Sequence, residues 1–288
     1  LVPSLNRVKR YSMDVKQRAQ FHSIAIALDL FNAEFDGYPN SDAKDDDPDG
    51  VKQYCGAMKL CEALVGQDLK GFHPQSRFRR SAFARPNVAG ITLYPETTNW
   101  PTQPEYNDNI RSRKMYLQLE NANAYQIRAI YDAGDIAVAK AFPSDPVAAG
   151  FDPNTYVLCD SYNRVTHKTT GKKIGMPILY YKADSTKLKH PVPGDLKGDI
   201  QANNNAGMYI YNVLDSQALI NMGLPWFAGP AQPLASSAID WPKKFYDITR
   251  DSKVGTGDRP TRADSYILMS AGFDGEYGTK DDIYNFSD

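Results

Sequence analysis

The feature that most constrains this chain is an opening run without glycine or proline, from Ser4 to Phe35. Its apolar residues recur every three or four positions, which is typical of an amphipathic α-helix. This stripe comprises Phe21, Ile24, Ala25, Leu28, Phe31 and Phe35. Gly37 and Pro39 then supply the usual stop signals. Such a helix would be on the order of 45 Å long, more than a small domain needs, so we expect it to have a partner.

The two halves of this helix differ in composition. Basic residues crowd the first half, whereas the apolar stripe strengthens toward the C-terminal half. The basic residues are Arg7, Lys9, Arg10, Lys16 and Arg18. We therefore expect only the second half to pack on a globular body.

Composition excludes several classes of partner. The 288 residues carry 33 Lys and Arg against 34 Asp and Glu, a net charge of −1, so no global basic field would hold a nucleic acid. The sequence contains no run of about 18 consecutive apolar residues, so no segment of it is expected to span a bilayer. The printed chain opens at Leu1 without Met. We expect a longer gene product whose upstream segment is a signal or a membrane anchor.

Helical patterns continue into the first half of the chain. A second short helix is predicted from Tyr54 to Val65, closed by Gly66. Residues 71–114 contain five prolines and no clear periodicity, which predicts a long irregular insertion. Residues 124–131, followed by Gly134, predict a third short helix.

Strand patterns dominate the second half. Three short segments predict strands, at residues 156–159, 177–181 and 266–269, and the last is wholly apolar and so central in its sheet. Gly171 and Gly175 would turn a hairpin between the first two. Asp215 would cap a helix that carries Leu219 and Ile220. A helix first and antiparallel strands last favour an α+β fold.

The common enzyme motifs are absent. Gly255-Thr256-Gly257 begins a dinucleotide-binding fingerprint, but Pro260 stands where its third glycine belongs. The four histidines are scattered singly. We predict no enzymatic activity. Cys55, Cys61 and Cys159 are too few for a disulfide framework, and either all are packed thiols or one bridges to Cys159.

Two acidic segments are candidates for binding a cation. The first begins like an EF-hand loop with Asp45, Asp47 and Asp49, but Gly56 stands where the bidentate Glu belongs, which favours a solvated loop. The second, residues 270–283, brings Asp274 and the Asp281-Asp282 pair together around three glycines. Carboxylates and free carbonyls in a tight loop suit Ca²⁺, and an incidental Gly-rich surface loop is the alternative.

This last segment resembles the C-terminal loop of the major pseudopilins of type II secretion. The resemblance rests on Ser270-Ala271-Gly272, Asp274-Gly275, Gly278-Thr279, Asp281-Asp282-Ile283 and Asn285-Phe286. The helix exit Phe35-Asp36-Gly37-Tyr38-Pro39 is similar to the exit of the pilin helix. Asp160-Ser161-Tyr162-Asn163, with the later Pro177 to Tyr180, resembles the family's strand pair split by an insertion.

The resemblance implies a pilin-like α+β fold over residues 1–288 as a single domain. An N-terminal helix at 1–36 would pack on a small C-terminal antiparallel sheet. Residues 37–155 would hold a helix and an irregular insertion, and residues 156–288 the sheet and a calcium loop, with large insertions at 71–155 and 183–264. The calcium ligands carry over to Asp274, Asp281 and Asp282, with backbone oxygens near Met269 and Phe273 as further candidates.

The resemblance also implies a structural role. The chain would be a subunit of a type II secretion pseudopilus or a related type IV pilus-like filament, anchored in the inner membrane before assembly through the missing upstream segment. Its head would lie in the periplasm or at the cell surface and be stabilised by calcium. Its partners would be further copies of itself, other pseudopilins and the inner-membrane secretion platform.

Two other classes of function stay open. A surface or pilus-tip binding module would use an exposed aromatic patch from Trp100, Trp226 and Trp241, whose simpler interpretation is core packing. An exported hydrolase would need a pocket that gathers a histidine with carboxylates.

Overall fold

The computed structural model describes residues 2–43, 53–80, 93–94, 103–139, 150–187, 190, 209–226, 241–250 and 260–286. The helices are α1 (Val2–Phe35), α2 (Gly56–Val65), α3 (Gln103–Arg111), α4 (Leu119–Ala122), α5 (Ile127–Ile130), α6 (Ala133–Val138), α7 (Leu214–Asn221) and α8 (Trp241–Ile248). The strands are β1 (Ala124–Gln126), β2 (Tyr156–Leu158), β3 (Val165–Thr166), β4 (Lys173–Ile174), β5 (Leu179–Lys182), β6 (Tyr266–Ser270) and β7 (Ile283–Tyr284). Mixed helices and small antiparallel sheets confirm the α+β class.

The long N-terminal helix is present as predicted. Its apolar stripe packs on α2, and Phe21, Ile24, Leu28 and Phe31 are all buried. The helix ends at Phe35 because Asp36 adopts a left-handed backbone conformation, with φ of 53°. Residues 6–12 are exposed, and among them Arg10 still contacts the head through Asp281.

Contact with the head begins earlier along α1 than the apolar pattern predicts. Gln17, in the first half of the helix, and Gln20, just past its midpoint, are both buried. The Gln17 side-chain oxygen accepts a hydrogen bond from the Ser161 N–H at 2.8 Å, and Gln20 donates to the Cys159 carbonyl at 2.9 Å. The expectation that only the second half packs was wrong, because these amides attach the helix through hydrogen bonds that hydrophobic periodicity does not register.

The face of α1 opposite this contact carries a second stripe, which we call the outer stripe. It comprises Val8, Tyr11, Val15, Ala19, His22, Ile26 and Leu30, all of them exposed. Its five large apolar members are between 50% and 72% exposed. The spacing repeats every eleven residues, which keeps the stripe almost parallel to the helix axis. The helix therefore has two apolar faces, and the head covers one of them.

α2 lies at the centre of the fold, where all ten of its residues are buried. It contacts α1 on one side and β2, β5 and α7 on others. A Cβ at Gly56 would collide with the Tyr180 carbonyl oxygen, so the first residue of α2 must be glycine for the helix to approach β5. Gly66, with φ of 83°, closes the helix as predicted.

The main sheet has the order β5-β6-β7 and is antiparallel throughout. All five residues of β6 are buried, which confirms the prediction of a central apolar strand. Asn285 extends the sheet, because its side-chain oxygen accepts the Leu268 N–H at 3.0 Å and its own N–H donates to the Leu268 carbonyl at 3.2 Å.

Three local predictions were wrong. Residues 124–131 are not one helix, because β1 pairs with β2 before α5 begins. The irregular insertion contains α3, where Pro104 falls in the first turn, a position that tolerates proline. Asp215 does not cap α7, because its carboxylate accepts the Ser41 hydroxyl at 2.5 Å inside the fold.

The hairpin prediction holds in part. Gly171 does lie in a turn, but that turn joins the extra pair β3 and β4. The flanking strands β2 and β5 belong to different sheets and meet through the Cys159–Pro177 bridge and the Ile178 N–H, which donates to the Leu158 carbonyl.

Two hydrophobic clusters form the core. One of them contains residues from all three segments that the sequence predicts, 1–36, 37–155 and 156–288. Leu28, Leu60 and Leu268 are examples, one from each segment. No helix in the described ranges is long and apolar enough to cross a membrane. The segment with Asp45, Asp47 and Asp49 lies outside the described residues, as does Trp100.

Candidate metal centre

The predicted calcium loop is the connection between β6 and β7. β6 and β7 pair at Met269 with Tyr284 and at Ser270 with Ile283, so residues 271–282 begin and end close together. Gly272 has φ of 65°, and a Cβ there would collide with the Asp281 carbonyl. Glycine is therefore required where the two ends of the loop meet.

Asp282 is the best-placed ligand among the predicted residues. Its Oδ2 accepts the Gly278 N–H at 2.7 Å and the Tyr284 hydroxyl at 2.8 Å, while its buried Oδ1 has no hydrogen-bond partner. Burial, with a smaller contribution from the negative charge of Asp274, raises the pKa of this carboxyl to about 7. A buried carboxylate oxygen without a hydrogen-bond partner fits a cation ligand.

Asp274 and Asp281 are held differently. Asp274 Oδ1 accepts the Glu276 N–H at 2.9 Å, and the Asp274 backbone carbonyl accepts Arg164 Nε at 3.2 Å. Asp281 Oδ1 instead forms an ion pair with Arg10 of α1, with 2.5 Å between Oδ1 and Nη2. Across the described part of the chain, no three acidic, histidine or cysteine side chains converge in a metal-holding arrangement. The complete ligand set stays a prediction.

The further candidate carbonyls belong to residues on either side of Gly272. Met269 lies within β6, opposite Leu179 and Tyr284. Phe273 is in the loop, and the Arg10 guanidinium lies 5.7 Å from its ring centroid. Arg10 therefore contacts both Asp281 and Phe273 of the loop. The sequence showed Arg10 only as one of several basic residues in the first half of the helix and did not predict this contact.

Other elements support the loop from outside. A Cβ at Gly275 would come within 2.8 Å of the Trp226 ring, and Arg164 stacks over that ring at 5.4 Å. A Cβ at Gly278 would lie 3.0 Å from Lys244. The loop is therefore wedged between side chains from distant parts of the sequence.

The two C-terminal patches that carried the sequence resemblance are directly bonded. Asp160 Oδ2 accepts the Ser270 hydroxyl at 2.8 Å, and Asp160 Oδ1 accepts the N–H groups of Met176 and Tyr162 at 3.1 and 3.2 Å. Burial raises the pKa of Asp160 to about 7, although these hydrogen bonds oppose the shift. Asp160 therefore ties the first residue of the loop motif to both sides of the β3–β4 hairpin.

The remaining sequence candidates lie elsewhere. All three cysteines are buried and free. Trp241 is fully buried, as core packing predicts, and Trp226 is partly exposed against the loop. Neither described cavity includes a histidine in its lining.

Comparison with protein-family models, with curated proteins and with solved structures finds no match to this chain in any of the three.

Proposed function

We propose that this chain is a structural subunit of a filament, a type II secretion pseudopilus or a related type IV pilus-like filament. The observation that carries the proposal is the outer stripe of α1. A face of mostly apolar, exposed residues that runs from Val8 to Leu30 of α1 favours burial against another helix. In the described part of the chain the head covers the opposite face and leaves this one exposed, so the proposal takes the partner from another molecule.

A second copy of the chain is the partner that this proposal requires. Each copy would supply the same straight stripe, so helices could pack along their length and place the heads outside. The C-terminal loop would contribute by fixing the head to α1, because Asp281 bonds Arg10. Outside the loop, Tyr162 adds a second contact by donating to Asp14 at 2.7 Å. No chemistry on a substrate is needed for this role.

The remaining partners follow from the family that the sequence resembles. The proposed subunit would be anchored in the inner membrane through a segment upstream of Leu1, would join other pseudopilins on the secretion platform, and would expose its head in the periplasm or at the cell surface. Calcium would be held by Asp282 and Asp274, with Asp281 available if it leaves Arg10. Bound there, calcium would neutralise the clustered carboxylates.

The proposal is tested with Ile26→Glu on the outer stripe, expressed from the native gene in its host. Ile26 is exposed, so the variant should fold normally but lose most of its assembled fraction in sheared filament preparations, because a charge in the helix interface is costly. Ser185→Glu, in an exposed turn of the head, is the matched control and should assemble as wild type. Normal assembly of Ile26→Glu would overturn the proposal.

A further inference from the structure

A cleft on the head, far in sequence from the calcium loop, has the features of a ligand site. Its volume is about 360 Å³, within the range of small-molecule pockets. One wall is α2 with the turn that follows it, and the other is the end of β1 with the segment that leads into β2. We call it the α2 cleft.

A rigid carboxyl group lies in the α2 wall. Glu62 Oε2 accepts the Tyr54 hydroxyl at 2.5 Å and the Gln67 amide at 3.1 Å, and its Oε1 accepts the Ser76 hydroxyl. Three donors on two oxygens fix this side chain, and burial raises its pKa. The wall is therefore ordered before any ligand arrives, which lowers the entropic cost of binding.

The charges that line the cleft do not favour an anionic ligand. The described lining holds two basic side chains and three carboxyl groups, so it carries no net positive charge. The polar contacts of the charged rim are Arg80 with Asp152 at 3.4 Å, Lys70 with Tyr106 at 2.9 Å and Asp68 with Arg113 at 2.7 Å. A phosphate or carboxylate would have to compete with these contacts.

The opposite wall offers neutral polar groups that the protein does not use. The Asn154 amide and the Thr155 and Tyr156 hydroxyls line the cleft, and none of these side chains makes a hydrogen bond in the described part of the chain. Tyr94 and Tyr156 also line the cleft and are half-buried, so they add aromatic surface to its lining. The wall thus combines hydrogen-bonding groups with aromatic faces.

We propose that the α2 cleft binds a neutral sugar. Amide and hydroxyl groups match the many donors and acceptors of a sugar ring, and tyrosine rings can cover its C–H face. A lipid would need a continuous apolar wall, and the lining residues are mostly polar. This site does not depend on filament assembly, because α1 contributes no lining residue among those described.

The test is a printed array of neutral and acidic glycans probed with the purified chain, followed by calorimetric titration of the neutral glycan bound most strongly. We expect Tyr156→Ala to abolish binding and Asn154→Ala to weaken it at least tenfold. Asn121→Ala, an exposed amide outside the cleft, should bind as wild type. Thermal melts establish that each variant is folded.

Three results would overturn the assignment: no neutral glycan bound, acidic glycans alone bound, or wild-type affinity in the Asn154→Ala variant. Asn154 lies in an exposed turn, so its variant remains informative if Tyr156→Ala fails to fold. None of these results bears on the outer stripe, which the assembly assay tests separately.

Discussion

Three aspartates, Asp160, Asp215 and Asp282, are buried in the head, and burial raises the pKa of each to about 7. A carboxyl with this pKa holds a proton in the folded chain that it releases in the unfolded chain between about pH 4 and 7. Stability from these groups is therefore greatest at low pH and falls as the pH rises to about 7. Asp282 lies in the C-terminal loop and Asp160 bonds Ser270 just before it, whereas Asp215 bonds Ser41 elsewhere in the fold.

Asp215 is the clearest case for measurement. Its Oδ2 accepts the Ser41 hydroxyl and its Oδ1 has no hydrogen-bond partner, while Asp42 and Lys59 act on it electrostatically with opposite sign. Asp215→Asn removes the ionisation, so we expect it to flatten the fall in unfolding free energy between pH 4 and 7, by up to about 4 kcal/mol. Denaturant unfolding across this range measures the effect.

The control for that experiment is Asp108→Asn, on the exposed surface of α3. Its pH profile should overlay that of the wild type. An Asp215→Asn profile with the wild-type slope would mean that Asp215 is already ionised in the fold.

At the scale of residues, the sequence indicated which acidic side chains belong to the C-terminal loop, but not which groups each of them contacts. The Asp281-Asp282 pair was predicted to act together, yet Asp282 is buried and Asp281 pairs with Arg10. Adjacent residues in a turn point in different directions, and Arg10 is separated from Asp281 by 271 positions. No local pattern can predict such a contact.

At the scale of elements, α1 shows how one helix serves two surfaces. Ile24 is fully buried and Ile26 is half exposed, although they are two residues apart. Residues two apart in a helix lie on different faces, whereas residues three and four apart share one. The sequence therefore predicted the helix and its inner stripe, but the outer stripe emerged only when burial was known.

The difference in burial between Ile24 and Ile26 predicts different losses of stability when each is replaced by alanine. Ile24→Ala should lower the free energy of unfolding by about 2–5 kcal/mol, because it leaves a cavity between α1 and α2. Ile26→Ala should change it by less than about 0.5 kcal/mol in the monomer. Denaturant unfolding of both variants checks the pair, and equal losses would contradict the assignment of faces.

The short elements were predicted less well than α1. The pattern of residues 124–131 predicts one helix, but the segment forms β1 and then α5. β1 forms by pairing with β2 about thirty residues later, and a local pattern does not contain that contact. The burial of α2 on every side was likewise unpredictable, because its Lys59 and Glu62 are buried through bonds to Asp42 and Tyr54.

At the scale of the whole molecule, the C-terminal loop joins parts of the chain that are distant in sequence. Arg10 reaches it from α1, Asp160 bonds the strand residue that precedes it, and Trp226 lies against Gly275. A ligand that orders the loop and leaves the Arg10–Asp281 pair in place should therefore stabilise the α1 contact, the hairpin and the main sheet together.

Calcium is the ligand that we expect to do so. Saturating calcium should raise the melting temperature by roughly 5–10 °C and chelation should reverse the rise, because calcium would bind the folded loop only. Asp282→Asn should abolish the response, whereas Asp108→Asn should retain it. A wild-type melt that is identical with calcium and with chelator would remove calcium from this account.

The central claim, that copies meet through the outer stripe of α1, is tested most directly by cysteine cross-linking in cells that express the native gene. The three natural cysteines are buried, and burial raises the pKa of Cys55 to about 11, so an added surface cysteine should react selectively. Val15→Cys lies on the stripe and Lys16→Cys is its exposed neighbour outside it. The account predicts covalent dimers for Val15→Cys and few for Lys16→Cys, whereas equal yields, or none for Val15→Cys, would contradict it.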